Sequence, residues 1–351
     1  MVLFNNELIP FDQARVSLDD VDIAYGYGVY ESLKVRKGVL YHPEFHEQRL
    51  FESARIIDIA HEFQPGEVIS GLVSLVRSAG TSGENCNIKV LLIGHSNKPA
   101  DLYGFSVNPL YPQRKELKNG ASCLLYPGER HFPAAKSLSM LLSTVAFRDA
   151  QRNSCYDALL VNRYGQITEG TRTNVFYYPV NKDADLGDPE VQSSPKNGTG
   201  NEQRVKTSGI SAMPYLPSVI YTPPKIQVLN GITRRTIIDC FTEQGIQVQE
   251  QPLPVGTLLR GNQEYAVFVS STSTKILPVN QLICDPMAHA SSGATGLAHL
   301  DGHTLAQGVT LETGCSQIPL IVPPSMKGLQ ELYNLYLDRW AAGQERIAKN
   351  Y

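Results

Sequence analysis

A lysine and a glutamate in apolar surroundings indicate where this chain does its chemistry. Lys136 follows Phe132-Pro133-Ala134-Ala135 and precedes a leucine-rich run, and Glu169 comes 33 residues later. Burial favours the uncharged form of a lysine, and an uncharged amine can attack a carbonyl carbon. An aldehyde cofactor requires this reaction to form a Schiff base, and pyridoxal phosphate (PLP) is the commonest such cofactor. The alternative is that Lys136 is an ordinary solvated residue at a helix start.

Lys136 and Glu169 lie within short sequence blocks that are spread over most of the chain. The blocks are Gly26-Tyr27-Gly28-Val29-Tyr30-Glu31, His46-Glu47-Gln48-Arg49-Leu50, Lys136-Ser137-Leu138, Cys155-Tyr156-Asp157-Ala158, Thr168-Glu169-Gly170-Thr171-Arg172-Thr173-Asn174-Val175-Phe176, Leu229-Asn230-Gly231-Ile232-Thr233-Arg234, and Ser271-Thr272-Ser273-Thr274 with Pro278-Val279. Together they resemble the class IV, fold-type IV PLP enzymes, a family of D-amino acid aminotransferases, branched-chain aminotransferases and aminodeoxychorismate lyases. The resemblance implies a two-lobed fold of α+β or mixed α/β class, with PLP between the lobes, and a homodimer.

The resemblance assigns residues to each end of the cofactor. It implies that Lys136 forms the Schiff base, that Glu169 pairs with the pyridine nitrogen, and that Arg49 binds the phosphate. A carboxylate keeps the ring nitrogen protonated, and a guanidinium fork suits a phosphate dianion. Without the resemblance, Gly231 would be the plain cap of a helix that is predicted to begin there, and Ser271 and Thr272 would merely end a strand. The further implied contacts are Leu229 against the ring, and Gly231, Ile232, Thr233, Ser271 and Thr272 at the phosphate.

The residues for substrate binding depart from the family pattern. D-amino acid aminotransferases typically carry an Arg-x-His pair in the loop where this chain has Gly94-His95-Ser96-Asn97-Lys98-Pro99. Arg172 is a candidate replacement, because a guanidinium can bind a substrate carboxylate with two hydrogen bonds. The alternative is an arginine that faces solvent or pairs with an acid. We expect Tyr25, Tyr30 and Thr171 to line the same substrate pocket.

The composition favours small-molecule ligands. The 351 residues include 31 basic and 34 acidic side chains, a balance that suggests no nucleic-acid or membrane partner. The six cysteines lack the spacing of a metal site, so we expect no bound metal and free thiols in a reducing compartment. The amino terminus shows no signal-peptide pattern, and no apolar run is long enough for a membrane span. These features predict a cytoplasmic protein.

The pattern of elements predicts two domains. Residues 1–127 read as a small N-terminal α+β domain, with a helix that begins at Pro43. Residues 128–351 read as a larger C-terminal PLP-binding domain, which opens with Lys136 and a helix over 138–151. Two stretches poor in apolar residues predict insertions in this larger domain, at about 180–216 and 285–313.

These features predict a PLP-dependent aminotransferase that moves an amino group between an amino acid and a 2-oxo acid through a Schiff base on Lys136. D-amino acid and branched-chain donors both stay open. The alternative within the family is an aminodeoxychorismate lyase, which releases pyruvate and 4-aminobenzoate, although Glu169-Gly170-Thr171 resembles the aminotransferase signature more. A catalytically silent relative that binds a partner protein through its insertions is a third possibility. The retained Lys136, Glu169 and Arg49 argue against it.

Overall fold

The fold has two lobes, each built around one β-sheet. A computed structural model describes residues 1–17, 20–80, 85–109, 111–180, 216–259, 264–284 and 316–347. The predicted insertions at 180–216 and 285–313 therefore lie outside the described residues, apart from 180 and 216 themselves. Within the described ranges, no helix is both long enough and apolar enough to cross a membrane.

The first lobe is a six-stranded antiparallel sheet in the order β2-β1-β6-β5-β3-β4, as far as the described residues show. Its residues alternate along β3, so that Leu33 and Val35 enter a core with the helices while Tyr30 and Lys34 lie on the opposite face. The strands are Val2–Phe4 (β1), Glu7–Ile9 (β2), Gly28–Arg36 (β3), Val39–Leu40 (β4), Asn85–Ile93 (β5) and Asp101–Val107 (β6); the helices are Val21–Ala24 (α1), Pro43–Ile56 (α2) and Glu67–Ser78 (α3).

The second lobe is a ten-stranded sheet that closes on itself. Six strands follow one another in the order β10-β14-β15-β7-β8-β9, and β9 pairs back to β10 where Glu169 faces Asn174. The strands are Ala121–Pro127 (β7), Asp157–Val161 (β8), Gln166–Gly170 (β9), Asn174–Pro179 (β10), Val219–Thr222 (β11), Gln247–Glu250 (β12), Leu253–Pro254 (β13), Tyr265–Ser271 (β14), Lys275–Cys284 (β15) and Ser316–Pro319 (β16).

Helices cover the outer face of this ring. Alternate side chains from all six ring strands pack together on one face, and the intervening side chains pack against helices on the other. The ring therefore has an apolar core, and its closure brings the end of β9 beside the start of β10. The helices are Arg114–Asn119 (α4), Leu141–Arg152 (α5), Ile232–Glu243 (α6), Val255–Leu259 (α7) and Pro324–Ala342 (α8).

The structure corrects two of the predicted boundaries. Strand β7 pairs with β15 and β8, so it belongs to the second lobe, and the first lobe ends after β6 rather than at residue 127. The helix predicted over 138–151 begins only at Leu141, because residues 136–138 run extended beside β3. A leucine-rich pattern could not show that these residues pair with a strand more than a hundred positions away.

Two helices begin where the sequence predicts, and two strands were not predicted. Helices α2 and α6 begin where Pro43 and Gly231 predict, at the first helical position and at the N-cap. Strand β9 was not predicted, because it is short and ends in a glycine. Strand β15 was also missed, since Pro278 lies inside it and proline usually argues against a central strand.

Candidate active site

Lys136 is held between the two lobes by backbone hydrogen bonds. The Tyr30 N–H donates to the Lys136 carbonyl at 2.9 Å, and the Leu138 N–H donates to the Gly28 carbonyl at 2.8 Å. The Lys136 N–H donates to Ser53 Oγ at 3.1 Å. Its Nζ atom lies 4.4 Å from the centroid of the Tyr30 ring. The lysine therefore projects from a fixed segment over an aromatic ring in the space between the lobes.

Glu169 is a buried carboxylate close to this lysine. It is the last residue but one of β9, and 3% of its surface is exposed. Its Oε2 accepts a hydrogen bond from the Leu229 N–H at 3.2 Å, and its Oε1 lies 3.2 Å from Arg130 Nε. Burial raises the pKa of Glu169, while Arg130, the Leu229 N–H and Lys136 act against burial. A cation placed near both oxygens would favour the ionised form further.

Arg130 is a member of the site that the sequence did not reveal. Its Nη2 donates to the Thr171 carbonyl at 2.9 Å, which fixes the guanidinium beside Glu169. Its Nε is buried and lacks a hydrogen bond of good geometry within the described residues, although Glu169 is at ion-pair distance. The sequence offered only an arginine shortly after a predicted strand and shortly before Lys136. Such a position does not indicate a site residue unless it is known that β9 and β10 pair and bring Glu169 close to it.

Arg49 forms a buried ion pair in the first lobe. Its Nε and Nη2 donate to the two carboxylate oxygens of Glu31 at 2.6 and 2.7 Å. His46 Nδ1 lies 2.7 Å from Glu31 Oε2. Although burial acts to raise it, Arg49 and His46 hold the pKa of Glu31 far below its ordinary value. The sequence blocks contained Glu31 and His46, but their role in orienting Arg49 emerges only from the structure.

The same arginine reaches the second lobe. Arg49 Nη1 donates to the Asn230 carbonyl at 3.0 Å, directly before the start of α6. A guanidinium carries five N–H donors, and three of those on Arg49 are used by Glu31 and Asn230. The remaining two are available to an anion.

A helix N-terminus and a strand end meet beside Arg49. Gly231 caps the twelve-residue helix α6, and its backbone is so close to Asn174 that a Cβ would lie 2.1 Å from Oδ1. Asn174 Nδ2 in turn donates to the Leu229 carbonyl at 2.8 Å. The first backbone N–H groups of a helix attract anions. One small cavity here is lined by four of the predicted phosphate contacts, Ile232, Thr233, Ser271 and Thr272, but not by Gly231. His46, which was not predicted as a phosphate contact, also lines it.

Two predicted substrate residues lie at the site, and the hydroxyl of each already has a partner. Tyr30 is half-buried beneath Lys136, and its hydroxyl contacts Met140 Sδ at 3.4 Å. Burial acts to raise the pKa of Tyr30, but nearby Lys136 and Arg130 reverse this and lower it. Thr171 is buried, and its hydroxyl donates to Asp157. Thr171 therefore has a structural hydrogen bond that competes with any substrate contact.

The other two predicted substrate residues are placed differently. Arg172 donates from Nη2 to the Tyr156 carbonyl at 2.9 Å, and its guanidinium stacks 4.3 Å from the Phe147 ring centroid. Tyr25 is 77% exposed and follows α1. Neither residue makes a described contact with Lys136 or Glu169. Arg172 is therefore solvent-exposed, as the alternative reading expected, although its guanidinium rests on Phe147 and it forms no described ion pair with an acid.

These residues fit the chemical groups of PLP. An amine, a buried carboxylate and an anion-binding helix N-terminus are the partners needed by an aldehyde, a ring nitrogen and a phosphate. The buried Arg130 Nε, which lacks a well-formed hydrogen bond, lies next to the carboxylate rather than elsewhere in the fold. The arrangement suits PLP better than a nucleotide or a metal ion.

Comparison with known proteins places the chain among aminotransferases. It is 27% identical over 291 residues to a D-alanine aminotransferase from Bacillus licheniformis, a match that covers 80% of this chain and 88% of the relative. It is 25% identical over 291 residues to a putative branched-chain-amino-acid aminotransferase from Methanocaldococcus jannaschii, with 80% and 87% covered.

Solved structures share the two-lobed fold. A branched-chain aminotransferase from Thermoproteus uzoniensis superposes with a TM-score of 0.66 at 19% identity, and the match covers 99% of this chain and 96% of that one. A hypothetical aminotransferase from Mycobacterium tuberculosis in a PLP-bound form gives a TM-score of 0.65 at 19% identity, with 96% and 98% covered. These matches confirm the predicted fold.

The sequence profile described as "Amino-transferase class IV" matches residues 28–282. This range contains Lys136, Glu169, Arg49 and the start of α6, and the match confirms the family predicted from the sequence blocks. The chain is therefore a transaminase and belongs to the class IV aminotransferase family.

Proposed function

We propose that this aminotransferase holds PLP in the space between its lobes and moves an amino group from an amino acid to a 2-oxo acid. The proposal rests on the position of Lys136 Nζ. This atom lies over the Tyr30 ring, and it is close enough to buried Glu169 to act on the pKa of that carboxylate. PLP, when bound, supplies an electron-withdrawing ring that weakens the bonds to the substrate Cα. The aldehyde, the ring nitrogen and the phosphate each have a matching group in this chain.

Each residue then has one task. Lys136 Nζ is the amine that attaches the cofactor and afterwards carries the proton that leaves the substrate Cα. Glu169 would accept a hydrogen bond from the ring nitrogen and keep that nitrogen protonated, while the Arg130 cation counteracts the burial that raises the pKa of Glu169. The Leu229 backbone is fixed by Glu169 and Asn174, and its side chain would pack against the ring.

The phosphate would lie at the junction of Arg49, α6 and the end of β14. Arg49 offers its two remaining N–H groups, and the N-terminus of α6 offers the backbone N–H groups of Ile232 and Thr233. Ser271 and Thr272 complete this cradle from the second sheet. The ion pair with Glu31 fixes the plane of the Arg49 guanidinium before the anion arrives, which lowers the entropy lost on binding.

We propose D-amino acids and branched-chain amino acids as the two donor classes to compare first, because the similar proteins are named for them. Tyr30 is the proposed pocket wall next to Lys136, and Arg172 and Tyr25 are proposed to act at its edge. Arg172 uses one donor on the Tyr156 carbonyl, so several of its N–H groups stay available to a carboxylate.

A panel of donors tests this function. Purified protein is incubated with PLP, and each amino acid, in both hands, is supplied with 2-oxoglutarate. We expect a yellow protein and acceptor-dependent consumption of at least one donor. Pyruvate release from aminodeoxychorismate without an acceptor would instead favour the lyase. A colourless protein that takes up no PLP would overturn the proposal.

We also propose a cytoplasmic homodimer. Among the described cysteines, Cys123 and Cys240 are buried free thiols, which suits a reducing compartment. Exposed apolar side chains lie on α1, on the segment before Lys136 and at the start of α5, and an exposed apolar patch commonly marks an interface. The backbone of Gly26 lies against Leu138 and Ser139, so α1 and the start of α5 are neighbours in this patch. The apolar patch consists of Val21, Tyr25, Phe132, Leu141 and Val145.

A further inference from the structure

A cavity of about 390 Å³ between the lobes is lined by three cations. Lys34 and Arg36 line it from β3 of the first lobe, and Lys275 lines it from the start of β15 in the second. The described lining includes no aspartate or glutamate. A cavity of this volume is large enough for a small organic molecule. Three positive groups therefore face one space of ligand size without a described acid among them.

Lys34 is buried without a polar partner among the described residues. Only 7% of its surface is exposed, and no described hydrogen bond or ion pair reaches its Nζ atom. The centroid of the Tyr111 ring lies 5.8 Å from this atom. Burial, together with Lys275 and Arg36, lowers the pKa of Lys34 to about 7. An anion in the cavity would therefore stabilise the charged form of a buried amine.

The other two cations also keep N–H donors for a ligand. The Arg36 guanidinium stacks 4.7 Å from the Tyr111 ring centroid, and no described hydrogen bond uses its N–H groups. Lys275 Nζ donates to Asn334 Oδ1 on α8, which uses one of the three donors of an ammonium group. A guanidinium fork and an ammonium group are both well suited to phosphate oxygens. The three cations together suit a phosphate dianion better than a single carboxylate.

Part of the cavity wall is apolar. Tyr111, Pro112, Leu117 and Ile276 line it together with the cations. Inorganic phosphate would leave this wall in contact with water, whereas the organic part of a phosphate ester would cover it and gain free energy from that burial. The lining therefore favours a phosphate group that carries a small organic body.

This cavity is separate from the proposed cradle for the cofactor phosphate, although the two are neighbours. Arg36, Tyr111 and Asn334 line the larger cavity but not the smaller one, which contains the predicted phosphate contacts. Lys34 and Lys275 line both cavities. An anion bound by these two lysines would therefore act on the electrostatic potential of the cradle without filling it.

The cavity is also remote from the reacting lysine. Lys34 lies on the same face of β3 as Tyr30, and four residues of extended strand separate their Cα atoms by roughly 13 Å. Tyr30 is the residue that contacts Lys136. A molecule whose phosphate is held at Lys34 and Arg36 is therefore too far away to react at Lys136 as a substrate.

We propose that this cavity binds a phosphate monoester of a small organic alcohol, as an effector that is neither cofactor nor substrate, and that this ligand weakens the binding of PLP. The sign of the effect follows from charge, because a dianion at Lys34 and Lys275 cancels positive charge that also acts on the cradle. The coupling is reciprocal, so bound PLP must weaken effector binding by the same factor. The ligand site is independent of the proposed function, and only its effect on PLP rests on that function.

Calorimetric titration of the PLP-saturated protein with phenyl phosphate tests the site while the cradle is filled. Phenyl phosphate should bind once per chain, inorganic phosphate about tenfold more weakly, and phenol not measurably. Arg36→Met, which alters the larger cavity alone, should weaken phenyl phosphate binding about 10- to 100-fold. Lys34→Met is a second variant and should act in the same direction. Lys327→Met, at an exposed position on α8, is the control and should bind like the wild type.

The outcomes of this titration separate the parts of the inference. Unchanged binding in both Arg36→Met and Lys34→Met would overturn the site itself. Inorganic phosphate that binds as tightly as phenyl phosphate would overturn the choice of an ester. If the wild type takes up no PLP, the proposed function is wrong, and the same titration without PLP still tests the ligand site through Arg36→Met.

The affinity for PLP at rising phenyl phosphate concentration tests the effect on the cofactor. Binding at a second site should raise the apparent Kd of PLP about fivefold or more and then reach a plateau, because both molecules can be bound at once. In Arg36→Met, the same rise should require a higher concentration of phenyl phosphate. A rise that continues in proportion to concentration would assign phenyl phosphate to the cradle and overturn the inference. An unchanged Kd would overturn the role as an effector.

Discussion

At the scale of single residues, the charge on Glu169 depends on groups from other parts of the chain. The carboxylate is buried near the end of β9, and it is reached by Arg130 and Lys136 from the segment between β7 and α5 and by the Leu229 N–H from the segment before α6. A buried carboxylate that loses its cation either takes up a proton or destabilises the fold. In the proposed function, the ability of Glu169 to keep a ring nitrogen protonated would therefore depend on Arg130.

Removal of Arg130 should both destabilise the protein and weaken PLP retention. We expect Arg130→Met to lower the free energy of unfolding by about 3 kcal/mol, because it leaves a buried carboxylate without its cation. Urea denaturation measures this loss, and dialysis followed by absorbance measures retained PLP. Adding Glu169→Gln to Arg130→Met should restore part of the stability, since an amide needs no cation. Equal stability of the single and double variants would show that the two side chains are uncoupled.

Replacement of Arg172 should weaken substrate binding rather than destabilise the fold. If its guanidinium binds a carboxylate, Arg172→Ala should raise KM for carboxylate-bearing donors about tenfold or more, because a charge-assisted hydrogen bond is lost. Simple amines, which lack the carboxylate, provide the comparison in the same assay. A matching rise for amines and amino acids would remove Arg172 from the pocket and leave it as a brace between Phe147 and Tyr156.

Some of these site residues could be proposed from the sequence alone, and others could not. Lys136, Glu169 and Arg49 lie in contiguous blocks, so they could be selected without coordinates. Arg130 could not, because its partner is on a strand that was not predicted. The functions of Glu31 and His46 were hidden for a similar reason: a carboxylate in a strand and a histidine in a helix become a pair only when α2 packs on β3.

At the scale of elements, strand β3 serves two sides of the molecule. Glu31, Leu33 and Val35 point towards α2 and the first core, while Tyr30, Lys34 and Arg36 point towards the space between the lobes. One nine-residue strand thus orients Arg49, contacts Lys136 and supplies cations to the neighbouring cavity. The alternating pattern predicted the strand, but it could not tell which face would meet the second lobe.

Replacement of Glu31 should give a stability loss that depends on pH. The pKa of Glu31 in the folded protein is far below its ordinary value of 4.5, so ionised Glu31 stabilises the fold above pH 4.5. That contribution is lost as pH falls from 4.5 towards the folded pKa. We expect Glu31→Gln to lower the free energy of unfolding by about 3 kcal/mol at pH 7, because Arg49 is left unpaired. The loss should become progressively smaller below pH 4.5. Urea denaturation at several pH values checks this, and a loss independent of pH would contradict it.

At the scale of the whole molecule, the chain ties its two lobes together at several points. Trp340 of α8 lies 3.9 Å from the His42 ring between centroids, and the Ile347 N–H donates to the Gly38 carbonyl at 2.8 Å. Arg49 and Lys136 add bonds across the same gap. The sequence predicted two lobes, but it placed their boundary too late, because a strand's sheet partners cannot be read from its own pattern.

The apolar patch around α1 and α5 should hold two copies of the chain together. Leu141→Glu places a charge on a side chain that is 77% exposed in one chain, so it should leave that chain's fold intact but disrupt an interface there. We expect sedimentation velocity to show a dimer for the wild type and a monomer for Leu141→Glu. Leu335→Glu, at an exposed position on α8, is the matched control and should stay dimeric. A monomeric wild type, or a dimeric Leu141→Glu, would refute the proposed interface.

The proposed function requires PLP to attach to Lys136. Borohydride reduction of the PLP-incubated protein makes this bond permanent, and mass mapping of the peptides then locates it. We expect a single pyridoxyl label on the peptide that contains Lys136, and no label in Lys136→Ala. A label on another lysine such as Lys34, or no label on the wild type, would contradict the proposed function.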